Sequence, residues 1–242
     1  MDNEEKILEL VKAANPENPI EYVDSIVRPY ARAKLDNLLA NCRDCPAWQH
    51  NIRSLSYGDD QAAVMIINEG IYESQLNGDE IVYPLRGTSE MELLDTLIES
   101  CHINPRQLFW MNAVNCYTCN KTGSVLTERA PNKREAECCR GFIERAIEIM
   151  RPVMVILLGN IPLSLFLRGK TIAEMHGQII EVHGVTAMPL YSPHKLIQMR
   201  EDEDQLEDLI EQYETEFCED FKKAFKYIQD NYGGNVVLEP LS

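Results

Sequence analysis

The feature that most constrains this chain is an amphipathic helix that runs straight into an unbroken aliphatic strand. From Glu135 to Met150 the apolar positions Ala136, Cys139, Phe142, Ile143, Ala146, Ile147 and Met150 recur at intervals of three and four, which lays one apolar stripe along a helix. Arg151-Pro152 stops it, because the residue before a proline is pushed out of the α region. Val153 to Leu158 then carries only apolar side chains, the pattern of a strand buried on both faces, and Gly159 ends it. Such a strand needs helices above and below it, which points to an α/β fold with a mainly parallel sheet.

The rest of the chain repeats that alternation. Residues 4 to 14 predict an amphipathic helix ended by Asn15-Pro16, and Ile20 to Leu39 a second helix. Ala62 to Ile67 reads as a buried strand, Glu90 to Cys101 as a helix and Leu108 to Val114 as the next strand. Beyond the central stretch, Ile161 to Leu167 predicts a short helix, while Gln178 to Val182 and Ala187 to Tyr191 predict strands. Pro189 suggests that the last of these is an edge. Gln205 to Asp230 predicts a long acidic helix with an apolar stripe of Leu206, Leu209, Ile210, Tyr213, Phe217, Phe221, Phe225 and Ile228. The expected architecture is one three-layer α/β/α domain: N-terminal helices over 1–40, a core over 41–200, and an acidic helix and tail over 201–242.

With 45% hydrophobic residues the chain can build a substantial core. Its apolar runs fall far short of the roughly 20 residues that span a bilayer, and Met1-Asp2-Asn3-Glu4-Glu5 does not read as a signal peptide, so a soluble cytoplasmic protein is expected. A net charge of −16 opposes nucleic-acid binding, yet residues 201–230 alone hold 12 acidic and 3 basic side chains. The remainder carries basic clusters at Lys133-Arg134, Arg140, Arg168 to Lys170 and Lys195 to Arg200, so a DNA-facing surface stays possible.

Eight cysteines, two pairs of them spaced Cys-x2-Cys, are better explained by metal than by disulfides in a reducing compartment. Two readings compete. Cys42, Cys45, Cys116 and Cys119 would make a zinc-ribbon-like site, whereas Cys42, Cys45, Cys116 and one of Cys138 or Cys139 would make an iron–sulfur site. Spacing alone slightly favours zinc. A second set of candidates follows the C-terminal ends of predicted strands, where ligands bind in open α/β sheets: Glu69, Asn112, and Ser192 with His194. A carboxylate there can orient water, an amide can read a base edge, and a hydroxyl or imidazole can stabilise a leaving anion.

From about Cys42 to Met199 the order of these landmarks resembles the iron–sulfur, family 4 branch of the uracil-DNA glycosylase superfamily. That family runs Cys-x2-Cys, GEAPG after a strand, a PFVG turn, TNVVKC, E-x3-C-RPFL, a helix ending in RP, a strand ending in LG, and HP-x-x-LL. This chain has Cys42-x2-Cys45, Ile67 to Tyr72 (INEGIY) for the second motif, and Pro84-Leu85-Arg86-Gly87 for the third. Met111 to Cys116 (MNAVNC), Glu135-x3-Cys139-Arg140, Arg151-Pro152, Leu158-Gly159 and Ser192 to Ile197 (SPHKLI) follow in order. The resemblance implies the superfamily's three-layer fold, a DNA substrate and a [4Fe–4S] cluster on Cys42, Cys45, Cys116 and Cys139. It also implies catalysis by Glu69 and Asn112, and a base pocket of Asn68, Gly70, Leu85 and Asn112. Ser192, His194 and Lys195 are expected to grip DNA phosphates or a minor-groove edge.

Two departures shape the expected activity. Leu85 stands where the family has a base-stacking Phe, and Ser192 where it has the His that steadies the departing base. The expected enzyme is a monofunctional DNA glycosylase with a wider pocket, acting on uracil or a modified pyrimidine such as those of viral DNA, with repair as one role and defence against viruses as the other. The opposing reading is a glycosylase fold without catalysis that binds DNA or a protein partner, and formation of abasic sites separates the two.

Overall fold

A six-stranded sheet carries the fold in the computed structural model, which describes residues 19–100, 103–104, 108–123, 125–201 and 207–232. The helix expected over 4–14 lies outside the described residues, as do Cys101, His102 and the first two residues of the expected acidic helix. The strands are β1 (Arg53–Ser54), β2 (Tyr57–Gly58), β3 (Val64–Asn68), β4 (Ile81–Val82), β5 (Leu108–Asn112), β6 (Cys119–Thr122), β7 (Val125–Glu128), β8 (Met154–Leu158), β9 (Ile180–Val182) and β10 (Val185–Leu190). The helices are α1 (Pro19–Ala40), α2 (Ser89–Ser100), α3 (Lys133–Met150), α4 (Asn160–Phe166), α5 (Ile172–Met175), α6 (Pro193–Glu201) and α7 (Glu207–Tyr232).

The main sheet has the order β2-β5-β3-β8-β10-β9, with its four central strands parallel and the two outer strands antiparallel to their neighbours. Every residue of β3, β5 and β8 is buried, which is why these strands read as apolar runs without alternation. The chain steps from β3 to β5 in one direction, then from β5 through β8 to β10 in the other. With right-handed crossovers this reversal sends α2 to one face and α3 and α4 to the opposite face. The helix contacts agree: α3 packs on α1 and α4, while α2 packs on α6, which packs on α7. The connections leaving β3 and β8 therefore part to opposite faces, and the crevice between these two adjacent strand ends is the switch point of the sheet.

Several boundaries differ from expectation for identifiable reasons. Helix α3 starts two residues early because Asn132 caps it: its side chain accepts from the Glu135 N–H at 3.0 Å while Glu135 reaches back to the Asn132 N–H at 2.8 Å. It ends at Arg151, which adopts a left-handed conformation at φ 48° ahead of Pro152. Pro189 does not mark an edge strand, since β10 lies between β8 and β9. Pairing with β9 stops at Ala187, so the proline nitrogen faces a gap where no N–H is needed, and the Pro189 carbonyl on that side accepts from the Gly177 N–H instead. The acidic helix α7 packs through Phe217, Phe221, Ala224, Phe225 and Ile228, and Leu209 at its start is exposed. Among the described residues no helix is long and apolar enough to cross a membrane.

Candidate active site and cysteine corner

A cleft of about 600 Å³ opens at the switch point, lined by the residues after β3 (Glu69 to Glu73), the start of α4 (Gly159, Asn160), the end of β10 and first turns of α6 (Tyr191, Ser192, His194, Lys195) and the end of the β6–β7 hairpin (Glu128 to Pro131). Glu69 stands at its floor. The Ile161 N–H donates to Glu69 Oε1 at 3.3 Å, and burial pushes the carboxyl above the usual carboxylate range despite backbone donors from Ile161 and Asn160. Gly159 is what lets the carboxylate pass: a Cβ there would lie 2.5 Å from Glu69 Cδ, and its φ of +91° suits glycine. The glycine that closes the VMVILLG run is thus a requirement of the site as well as of the turn.

Behind the cleft the two strand-tip asparagines meet across the sheet, because Asn68 and Asn112 are register partners of β3 and β5. Asn68 Nδ2 donates to Asn112 Oδ1 at 3.1 Å and to the Gly70 carbonyl at 3.0 Å, while the Tyr72 hydroxyl donates to Asn68 Oδ1 at 3.2 Å. Both amides are fully buried, and Asn112 Nδ2 has no hydrogen-bond partner. An unpaired buried donor costs about 1–3 kcal/mol, so it stands ready for an acceptor. Tyr72 and Tyr191 both line the cleft, and the Tyr72 ring stacks on the His194 imidazole at 4.0 Å between centroids and 9° between planes. Its loop is pinned from behind by the buried Gln75, whose side chain accepts from the Tyr72 N–H and donates to the Tyr83 carbonyl.

The expected pocket residues therefore separate. Glu69 and Gly70 line the cleft, and Asn68 and Asn112 lie behind Tyr72. Leu85 does not face the cleft: it is fully buried in the main core, held at φ 57° in the turn before α2. A wider pocket inferred from Leu85 lacks that basis, because the rings at the cleft come from Tyr72 and Tyr191. Ser192 is a largely buried residue of the cleft wall, and its hydroxyl lies close enough to Glu69 and Tyr72 to favour their ionised forms. His194 has its Nδ1 2.7 Å from Oε1 of the buried Glu90, which leaves its Nε2 edge at the cleft. Lys195 is exposed at the lip. Tyr72 and Glu90 were missed in sequence; the available signal was a bulky tyrosine at the last position of the motif that elsewhere reads GEAPG.

A second constellation lies at the corner where α1 ends. The segment Ile52 to Ser54 runs antiparallel to Asn115 to Tyr117, with Ser54 N–H donating to the Asn115 carbonyl and Tyr117 N–H to the Ile52 carbonyl. That pairing brings Cys45 beside Cys116, with Cys138 packed against them, and the packing of α3 on α1 sets Cys139 within electrostatic reach of Cys116, Cys45 and Cys42. Cys45, Cys116 and Cys139 are buried and Cys42 half-buried. Burial pushes the Cys116 and Cys139 thiols up to about 12, and each also feels the charge of Cys45 and Cys42. Arg53 favours the thiolate of Cys116, the Asn115 N–H that of Cys139. Cys119 stands elsewhere, packed with Ile71, Val82 and Tyr117, and Cys138 points to the Asp44 carbonyl at 3.6 Å. The zinc-ribbon set with Cys119 is therefore not assembled. Among the described residues no three His, Cys, Asp or Glu side chains converge tightly enough for a single metal ion.

The corner and the cleft are joined by the segment between Cys116 and Cys139. Arg129, at the cleft, makes a two-point pair with the buried Glu135 of α3 at 2.6 and 2.9 Å. Glu128 accepts from the Glu73 N–H across the cleft mouth.

Comparison with known proteins agrees with this geometry. The chain is similar to proteins named type-4 uracil-DNA glycosylase: one from Thermotoga maritima, 26% identical over 182 residues (72% of this chain and 89% of that protein), and one from Pyrobaculum aerophilum, 28% identical over 152 residues (62% and 69%). A third, from Sulfurisphaera tokodaii, is 25% identical over 128 residues, 52% of this chain and 54% of that protein. The family model of the uracil DNA glycosylase superfamily matches residues 55–228, and with the switch-point cleft and its strand-tip Glu and Asn, the chain belongs to that superfamily.

Proposed function

We propose that this protein is a monofunctional DNA glycosylase that takes a nucleotide out of the stack and hydrolyses its N-glycosidic bond, leaving an abasic site in base-excision repair. The observation that carries the reading is the Glu69 carboxylate at the floor of the switch-point cleft, with paired asparagine amides behind it. An extruded base fits a cleft of this size, and its edge can be read by the unpaired Asn112 Nδ2 once Tyr72 yields. Glu69 orients the attacking water and offsets the positive charge that grows on the sugar as the bond breaks. Uracil is the substrate best supported, because the relatives bear that name and because the Tyr72 ring occupies space in front of the amides. DNA carrying bulkier pyrimidines tests the wider substrate range and, with it, a role against viruses.

Cys42, Cys45, Cys116 and Cys139 would hold a [4Fe–4S] cluster. Their burial, the charge of Arg53 beside Cys116 and the Asn115 N–H donor to Cys139 fit a thiolate-bound inorganic centre. Bound there, the cluster supplies a cross-link between α1, the strand end at Cys116 and α3 rather than electron transfer, since glycosidic hydrolysis moves no net electron. The deciding experiment is abasic-site formation on a uracil-containing oligonucleotide by the wild type and Glu69→Gln. Excision that drops about 10²–10⁴-fold in a folded variant is expected; no excision by the wild type would leave only the binding-module reading.

A further inference from the structure

The site retains one charged assembly that the reading above does not use. Glu90, in the first turn of α2, is only 3% exposed, and its Oε1 lies 2.7 Å from His194 Nδ1 in the first turn of α6. The opposite edge of the imidazole, Nε2, faces the cleft, where its neighbours are the exposed Gln198 side chain at 3.0 Å and Glu128 Oε1 at 3.9 Å. Tyr72 covers one ring face. The ring is thus fixed in plane by Glu90 and in tilt by Tyr72, with one edge left toward the cavity, facing the exposed Gln198 amide and, farther off, Glu128.

We propose that His194 takes the place left by Ser192: its Nε2–H, aimed by Glu90 and backed by Tyr72, donates to the departing base. This rests on the base-excision reading. When the C1′–N1 bond breaks, both electrons leave with the base and spread over the ring nitrogen and carbonyl oxygens. Water oxygen bonds to C1′, its proton passes to Glu69, and His194 acts as an imidazolium, its Nδ1–H on Glu90 and its Nε2–H on the anionic base, keeping both protons. A base carbonyl displaces Gln198, whose exposed amide is free to swing away. Glu90 touches no reacting atom, so it acts as a positioning residue.

The electrostatics agree with that geometry. Burial pulls the imidazole toward the neutral form, but the hydrogen bond and charge of Glu90, with Glu128 and Glu69 beyond, outweigh it and raise the His194 pKa above the ordinary histidine value. Glu90 is shifted the other way: burial raises it, yet the bond to His194 prevails and holds it lower. The groups facing His194 are thus Glu90 from α2, Glu128 from β7, Glu69 from the β3 tip, Tyr72 and, on its own helix, Gln198.

Single-turnover excision from uracil-containing single-stranded DNA across pH, together with NMR titration of the imidazole, tests the proposal. His194→Gln, which keeps a neutral donor, should lose about a hundredfold or more in rate while still binding DNA. Glu90→Gln should move the alkaline limb of the rate profile and the His194 titration together to lower pH, a coupled shift that a merely structural contact would not produce. Unchanged rates in folded His194→Gln, or an alkaline limb unmoved by Glu90→Gln, would overturn it. Should the wild type prove inert on uracil, the excision reading fails first, and the titration still decides: a wild-type His194 that titrates no higher than in Glu90→Gln overturns the assembly itself.

Discussion

The cysteine corner and the cleft are built from equally distant parts of the chain, yet their electrostatics are opposite. In the cleft, acid meets base: Glu90 with His194, Glu135 with Arg129, and Glu69 against backbone N–H groups. Each buried charge has a partner within the protein. At the corner four thiols stand near one another, burial and the neighbouring thiols resist the ionisation of Cys116 and Cys139, and the charge of Arg53 favours the thiolate of Cys116. The charges of the cleft are paired within the protein, whereas the buried thiols Cys116 and Cys139 of the corner are held toward their neutral form. Under the proposed function one is a working surface and the other a clamp around a cluster.

The sharpest way to break that contrast is to damage the clamp and watch the cleft. Cys139→Ser should abolish bound iron and sulfide and cut excision as well, because α3 anchors Glu135, which holds Arg129 at the cleft; Cys119→Ser should keep both, as measured by metal analysis and the abasic-site assay. Equal loss in both variants would undo the assignment of the ligands. Damage to the cleft should not travel back. Gly159→Ala forces a side chain into a rare backbone region at a cost of about 1–3 kcal/mol and drives a Cβ against the Glu69 carboxylate, so thermal stability and excision should fall with iron content unchanged.

The pH profile sharpens the same comparison. Glu69 works as a carboxylate and its pKa is raised, so excision should decline as pH falls through a value above the ordinary carboxylate range, with the acid limb absent in Glu69→Gln. Smaller effects come from the link and the lip. Asn132→Ala removes the cap of α3 and should cost about 1 kcal/mol in denaturant unfolding, felt by both regions. Lys195→Ala should weaken DNA binding evenly across sequences and reduce the salt slope by about one.

The fold was largely legible because its signals are local. Burial on both faces leaves a run such as Val153 to Leu158 without alternation, and the stripe from Ala136 to Met150 follows from helix geometry alone. The short hairpin of β6 and β7 escaped notice, since Cys119 to Glu128 is mostly exposed and shows no apolar period. Pro189 misled for a related reason: a proline reports a missing N–H partner at one residue, and the neighbouring strand here ends just short of it.

The site was legible only as a set of strand tips. Glu69, Asn112 and Ser192 could be placed at the sheet's C-terminal edge from sequence, because a parallel strand delivers its next residue there wherever it lies in the order. Which tips become neighbours depends on the strand order and on the reversal between β3 and β8, and no local pattern encodes either. The sequence by itself thus determined the layers, the strand ends and the cysteine spacings. Tertiary structure alone decided that Cys119 stands away from the corner, that Leu85 turns into the core while Tyr72 faces the cleft, and that Glu90 reaches His194 from 104 positions away. These are contacts between side chains on different elements, so their existence rests on how whole helices and strands pack, a quantity summed over the domain rather than written at any one residue.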